Sequence, residues 1–288
     1  MIRPAGRTAV DGYIDDLPAT RPEGVVLSVR NLTVGFPTDD GMVQAVRDVS
    51  YDVSAGEILG IVGESGSGKS VSSLAVMGLL PKSARITGSA TYGGADLLRI
   101  SQAARRSLRG RKIAMIFQDP LSSMNPVHTV GAQIAEAVRS HEAVSQKVAL
   151  ERAAEMLDLC GIPQATRRLK SYPHEFSGGM RQRAMIAMAI VNRPELIIAD
   201  EPTTALDVTI QAQVLEKLFE VKDTVGAALV LITHDLGVVA GSADRVLVMY
   251  AGRAVEKGGV DEVFYRPRSR TPPGCSDPSP RSALPVSG

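Results

Sequence analysis

Apolar and polar positions follow two periods along the chain. From Val25 onward, β-prone runs at residues 25–29, 33–36, 45–53 and 58–62 are separated by turn formers such as Asp39-Asp40-Gly41 and Ser54-Ala55-Gly56, which predicts a small sheet with hairpins. A helix is expected over residues 71–80, closed by Pro81. Between about residues 95 and 175 the period becomes helical, with Ile134, Ala137 and Val138 on one face and Ala153, Met156, Leu157 and Leu159 on another. A further helical run covers residues 178–191. Residues 196–199 and 228–233 are continuous apolar runs on either side of a helix expected over 210–222. Such runs suit strands buried on both faces, so the reading is an α/β fold around a parallel sheet covered by helices. No internal repeat is present. Residues 1–23 read as a disordered leader. Residues 266–288 read as a disordered tail, because they hold six of the 17 prolines and no periodic apolar face.

Composition narrows the possible functions. The 288 residues are 44% hydrophobic and 22% charged, enough for a real core. Lys and Arg number 32 against 31 Asp and Glu, so the basic excess expected of a general nucleic-acid binder is missing. With no Trp, five Phe and six Tyr, a base-stacking surface is not expected either. Cys160 and Cys275 stand far apart and in no metal-ligand spacing, which argues against a disulfide framework or a zinc site. The first residues carry charge and proline where a signal peptide needs an apolar stretch. No run approaches the roughly 18–20 apolar residues of a membrane span. A cytoplasmic chain is expected, one that meets a membrane only through a partner.

The strongest chemical signal is Gly63-Glu64-Ser65-Gly66-Ser67-Gly68-Lys69-Ser70, which fits GxxxxGK[ST] between an apolar strand and a helix. Its glycines let successive N–H groups turn toward phosphate oxygens, and the helix that follows adds its positive end. Lys69 is expected to neutralise the β- and γ-phosphates of a nucleotide, and the Ser70 hydroxyl to hold Mg²⁺. A carboxylate must complete that metal site. Asp200 and Glu201 offer one, since they follow the apolar run 196–199, and ligands of open α/β sheets collect at strand C-terminal ends. Asp200 is expected to hold Mg²⁺, directly or through water, and Glu201 to be the general base that polarises the attacking water.

With these two motifs in place, the chain resembles the ATP-binding subunit of an ABC transporter. Phe176-Ser177-Gly178-Gly179-Met180 is similar to the family signature LSGGQ, departing from it at Phe176 and Met180. The resemblance implies that Ser177, Gly178 and Gly179 bind the γ-phosphate held by a second ATPase subunit. Met180, Met185 and Met188 read as core residues rather than ligand contacts. Ile116-Phe117-Gln118-Asp119-Pro120 resembles the Q-loop, which implies that Gln118 reaches Mg²⁺ and the lytic water and that residues 121–130 sense a membrane subunit. In Ile232-Thr233-His234-Asp235 the resemblance makes His234 the residue that senses the γ-phosphate and steadies the water. Thr204-Ala205-Leu206-Asp207 resembles the D-loop, placing Asp207 across the dimer interface, and Phe36 resembles the aromatic that stacks on adenine.

The resemblance covers about residues 25–265. It implies a P-loop NTPase cassette of the ABC type, with a RecA-like core sheet, a small antiparallel β subdomain and a helical subdomain inserted at about 95–180, within an ATPase domain of residues 24–265. The phrases FQDPLSSMNPVHTVG, YPHEFSGGMRQRAMIAMAI and IADEPTTALDVTIQAQVL are similar to the oligopeptide/dipeptide/nickel importer subfamily, and FSGGMRQR to the first of its two ATPase subunits. The implied partners are a second ATPase subunit, two integral membrane permeases and an extracytoplasmic solute-binding protein, with this chain peripheral on the cytoplasmic membrane face. Peptide or another small solute, nickel included, is the implied cargo. A soluble ABC ATPase of repair or translation is the alternative, but its usual second cassette or coiled-coil insertion is missing. A small-molecule kinase would leave FSGGM and His234 unexplained. Past VFYRPR the subfamily usually continues with a phrase like HPYTxxLLxxIP. Generic codons for residues 271–280, read one base earlier, can encode YTAGLLGSIP, so the tail is expected to reflect a frame shift near Ser269.

Overall fold

A computed structural model describes residues 24–204 and 206–266; the leader 1–23 and the tail from 267, with its expected frame shift, lie outside them. The hairpin β1 (Val25–Thr38) and β2 (Gly41–Ser54) leads into β3 (Ile58–Val62) and α1 (Lys69–Met77). Next come β4 (Arg85–Tyr92), β5 (Ala95–Asp96), α2 (Gln102–Leu108) and β6 (Ile113–Ile116). A helical stretch follows: α3 (Pro120–Ser123), α4 (Val130–Arg139), α5 (Gln146–Leu159), α6 (Ala165–Arg168) and α7 (Gly178–Ile190). The chain then alternates β7 (Leu196–Asp200), α8 (Val208–Val225), β8 (Ala228–Thr233), α9 (Leu236–Ser242) and β9 (Arg245–Tyr250). It closes with β10 (Arg253–Gly259) and α10 (Val260–Tyr265).

These strands form an antiparallel sheet in the order β2-β1-β4-β5 and a six-stranded sheet in the order β10-β9-β3-β8-β7-β6. In the larger sheet every pair from β9 to β6 is parallel, and only β10 joins antiparallel at the edge. All residues of β3, β7 and β8 are buried, as continuous apolar runs require. Their period of two divides them between two cores. Leu59, Ile61, Ile198, Val230 and Ile232 join α1 and the antiparallel sheet, whereas Ile58, Ile197, Ala199, Leu229 and Leu231 face α4, α5, α7 and α8. The α/β reading is thus realised, with the small antiparallel sheet on one face of the parallel sheet. Met185 is buried in the helical core and Met180 and Met188 pack against it, as expected of core methionines.

Local differences from the sequence reading have simple causes. Residues 25–29 and 33–36 belong to one strand, β1, which bends where Asn31 takes φ 50° and its amide donates to Asp48 Oδ1 at 2.7 Å. Helix α1 ends before Pro81, because Gly78 adopts φ 62° and the Leu79 N–H donates back to the Leu74 carbonyl at 2.8 Å. Within the stretch read as helical, Ile113–Ile116 is a strand of the six-stranded sheet. Four apolar residues are too few to display a period, so only pairing with β7 reveals it.

Candidate functional site

The parallel sheet sets the C-terminal ends of β3, β8, β7 and β6 side by side, in register at Val62 with Thr233, Asp200 with Ile232 and Ile116 with Ala199. Each end releases a candidate residue: Gly63 after β3, His234 after β8, Asp200 and Glu201 at β7, and Gln118 just beyond β6. Neighbouring strands lie about 5 Å apart, so groups from distant parts of the chain meet at one edge.

The glycine-rich loop is wrapped tightly. Gly63, Gly66 and Gly68 all have positive φ, at 154°, 77° and 96°. A Cβ on Gly63 would overlap the Met249 carbonyl oxygen, and one on Gly68 the Ala45 carbonyl oxygen. The loop is therefore seated against β9 and β2, and Gly252 clasps it by donating its N–H to the Ser67 carbonyl at 3.1 Å. Glu64, Ser65 and Gly66 form the exposed tip, whereas Ser67, Gly68 and Lys69 are buried. Gly63→Ala is expected to cost about 3 kcal/mol through overlap and backbone strain. Denaturant unfolding would read this as a lowered midpoint, and an unchanged midpoint would contradict the packing described.

Lys69 folds back on this loop, its ammonium donating to the carbonyls of Gly63 at 2.6 Å and Glu64 at 2.8 Å. Burial holds its pKa below the ordinary lysine value, opposed by the nearby Glu201 and Asp200 carboxylates. The Ser70 hydroxyl donates to Asp200 Oδ1 at 2.8 Å. Burial raises the Asp200 pKa, which the Ser70 hydrogen bond lowers, the Glu201 charge raises and Lys69 lowers. Ser67 Oγ is buried without a hydrogen-bond partner among the described residues. A buried hydroxyl without a partner, two residues from a buried ammonium in a glycine-rich loop, is a setting for an anion.

Glu201 is the hub of the second half of the site. It has φ 47°, an unusual value for a residue other than glycine, and its N–H donates to the Ile232 carbonyl at 2.9 Å. Its Oε2 accepts from Gln118 Nε2 at 3.1 Å and from Thr204 Oγ1 at 3.0 Å, and its Oε1 lies 3.6 Å from His234 Nδ1. The expected catalytic set of Lys69, Gln118, Glu201 and His234 thus converges with Ser70 and Asp200. Reading the sequence missed the hydroxyl contact of Thr204. Its signal is the turn spacing of three residues after Glu201, closed by the Thr204 N–H on the Glu201 carbonyl at 3.2 Å.

Other candidates stand apart from this cluster. No hydrogen bond or ion pair among the described residues joins Ser177, Gly178 or Gly179 to the glycine-rich loop. Ser177 instead caps α7 by accepting from the Met180 N–H at 3.3 Å, and Asp207 caps α8 by accepting from the Ile210 N–H at 3.0 Å. Both helix starts pack together: a Cβ on Gly178 would meet Leu206, and one on Gly179 would meet Ile210. Phe36 is half-buried against the core beneath the antiparallel sheet, opposite Val43, two residues from the Ala45 that abuts Gly68.

Comparison with known proteins gives this arrangement a context. The profile described as ABC transporter matches residues 46–204. The chain is 54% identical over 249 residues to the oligopeptide transport ATP-binding protein OppD of Salmonella typhimurium, covering 86% of this chain and 74% of that one. It is 53% identical over 261 residues to the dipeptide transport ATP-binding protein DppD of Bacillus subtilis, covering 90% and 78%. Among solved structures, it is similar to an ATP-binding cassette seen as a dimer in a post-hydrolysis state with ADP and phosphate bound. That likeness has a TM-score of 0.72 and 25% identity, over 81% of this chain and 98% of that one.

Proposed function

The chain belongs to the ABC transporter ATP-binding family, and from that premise we propose that it is the subunit that hydrolyses ATP to drive peptide uptake through an importer. The observation that carries the ATPase reading is the convergence of Lys69, Ser70, Gln118, Asp200, Glu201 and His234 at four adjacent strand ends. Likeness to oligopeptide and dipeptide transport proteins supports peptide as the cargo.

ATP phosphates take the place over the exposed tip of the loop, where Gly66 leaves open space, with N–H groups of the loop and the Ser67 hydroxyl as donors. Lys69 then exchanges its hold on the Gly63 and Glu64 carbonyls for the β- and γ-phosphates. The residues present fit Mg²⁺, because the Ser70 hydroxyl and the Asp200 carboxylate are hard oxygen donors already 2.8 Å apart, with the Gln118 amide oxygen as a further ligand. When bound, the ion supplies positive charge to the phosphate oxygens. Glu201 takes a proton from the attacking water, and His234 steadies that water and the γ-phosphate. Phe36 offers a flat apolar surface to the adenine from the strand beside the one that abuts Gly68.

Ser177, Gly178 and Gly179 open α7 with an exposed serine and face a different site, so they serve the nucleotide of a second ATPase subunit, alongside Asp207. Residues 24–265 form the ATPase domain, and within 95–180 the segments other than β5 and β6 form its helical arm. Between that arm and the core sheet lies a cavity of about 310 Å³ lined by Met77, Leu79, Phe117, Met185 and Met188. No helix among the described residues is long and apolar enough to cross a membrane. This cavity and the adjoining segment 121–130 receive one of two permeases at the cytoplasmic membrane face. An extracytoplasmic binding protein delivers the cargo. Cells lacking this chain are expected to lose ATP-dependent accumulation of a labelled tripeptide, restored by the wild-type chain and not by Glu201→Gln. Unchanged accumulation, with the purified chain still hydrolysing ATP, would reject the peptide cargo and keep the ATPase.

A further inference from the structure

The two oxygens of the Glu201 carboxylate have unlike surroundings. Oε2 accepts two hydrogen bonds, from Gln118 Nε2 at 3.1 Å and Thr204 Oγ1 at 3.0 Å, which fill the two lone-pair directions of one carboxylate oxygen. Oε1 faces His234 Nδ1 at 3.6 Å, too long for a direct hydrogen bond. The donors on Oε2 also differ from each other. Gln118 is exposed on the segment leaving β6, whereas Thr204 is half-buried and bonded through its own N–H to the Glu201 carbonyl. As a β-branched residue, Thr204 has little χ1 freedom to lose when its hydroxyl is aimed.

We propose that Thr204 is a positioning residue: its hydroxyl anchors Oε2 of Glu201, so that Oε1, beside His234, is the oxygen that receives the proton of the attacking water. In that step the water O–H bond breaks as its oxygen bonds to the γ-phosphorus and the bond to the ADP oxygen breaks. The proton goes to Oε1, and Thr204 neither gives nor takes one. Asp200, Lys69 and His234 are the charged or titratable groups around the carboxylate, and none of them takes over this anchoring of Oε2. The inference rests on the ATPase reading above.

Steady-state ATP hydrolysis by the full chain with Mg²⁺ tests it. Thr204→Val keeps the shape and removes the donor, and it is expected to lower kcat about tenfold with KM for ATP within about twofold. Thr204→Ser restores the donor and is expected to recover most of the rate. Thr204→Ala serves as a second donor-free variant should the valine fold poorly, and thermal melting checks both. Combined with Glu201→Gln, Thr204→Val is expected to add no further loss, since both act on one carboxylate. Wild-type kcat in both donor-free variants beside a slow Glu201→Gln would overturn the inference alone, as would a full extra loss in the double variant. Wild-type rates in Glu201→Gln as well would overturn the ATPase reading together with it.

Discussion

Glu201→Gln lowers the rate of ATP hydrolysis by about 10²–10⁴-fold, the range for losing a general base, and leaves MgATP affinity within about twofold. The amide oxygen still accepts from Gln118 and Thr204, so the side chain keeps its anchored position. What is lost is the basic oxygen beside His234. Binding is preserved because Lys69, Ser70 and the glycine-rich loop are untouched. Removing the Glu201 charge also relieves its repulsion of Asp200, which favours the ionised form of that aspartate. Single-turnover hydrolysis, with any partner site disabled, measures the effect. A rate within threefold of wild type would exclude Glu201 as the base.

Lys69→Ala weakens ATP binding about 100-fold, as expected when two or more charge-assisted hydrogen bonds to phosphate disappear. Two losses combine. The phosphates lose their buried counter-charge, and the carbonyls of Gly63 and Glu64 lose the ammonium donor that shapes the empty loop. Fold stability is affected less, because removing the desolvated ammonium also removes the burial cost that lowers its pKa. Titration of a fluorescent ATP analogue and a thermal melt separate these terms. A large fall in the melting midpoint with intact affinity would place Lys69 in the scaffold instead of the site. The contrast with Glu201→Gln is diagnostic, since one variant binds without turnover and the other fails at binding.

Much of this site was legible because its chemistry is local. The loop from Gly63 to Ser70 needs glycines at positive φ, and few residue types satisfy that backbone, so its purpose can be read from a short string. The buried strands β7 and β8 were visible as unbroken apolar runs, and the acid pair and the histidine were visible as their exits. Capping serines and aspartates at Ser177 and Asp207 likewise act on the N–H groups three residues on, within reach of sequence logic.

Long-range pairing decided the rest. Strand β6 is four residues long and is a strand only because β7 offers it hydrogen-bond partners. That placement brings Gln118 to Glu201 across 83 residues of chain. The clasp of Ala45, Met249 and Gly252 around the loop joins segments about 200 residues apart, with no mark in any of them. The motif that contains Thr204 points to the dimer interface, and its hydroxyl acquires its contact with Glu201 only through the left-handed turn at that residue. By itself the sequence determined which groups this protein has for binding a nucleotide and splitting its phosphoanhydride, because those depend on residue type and short spacing. Only the tertiary structure decided which oxygen of Glu201 is held and which faces His234, because hydrogen-bond direction is set by elements that meet solely in the folded chain.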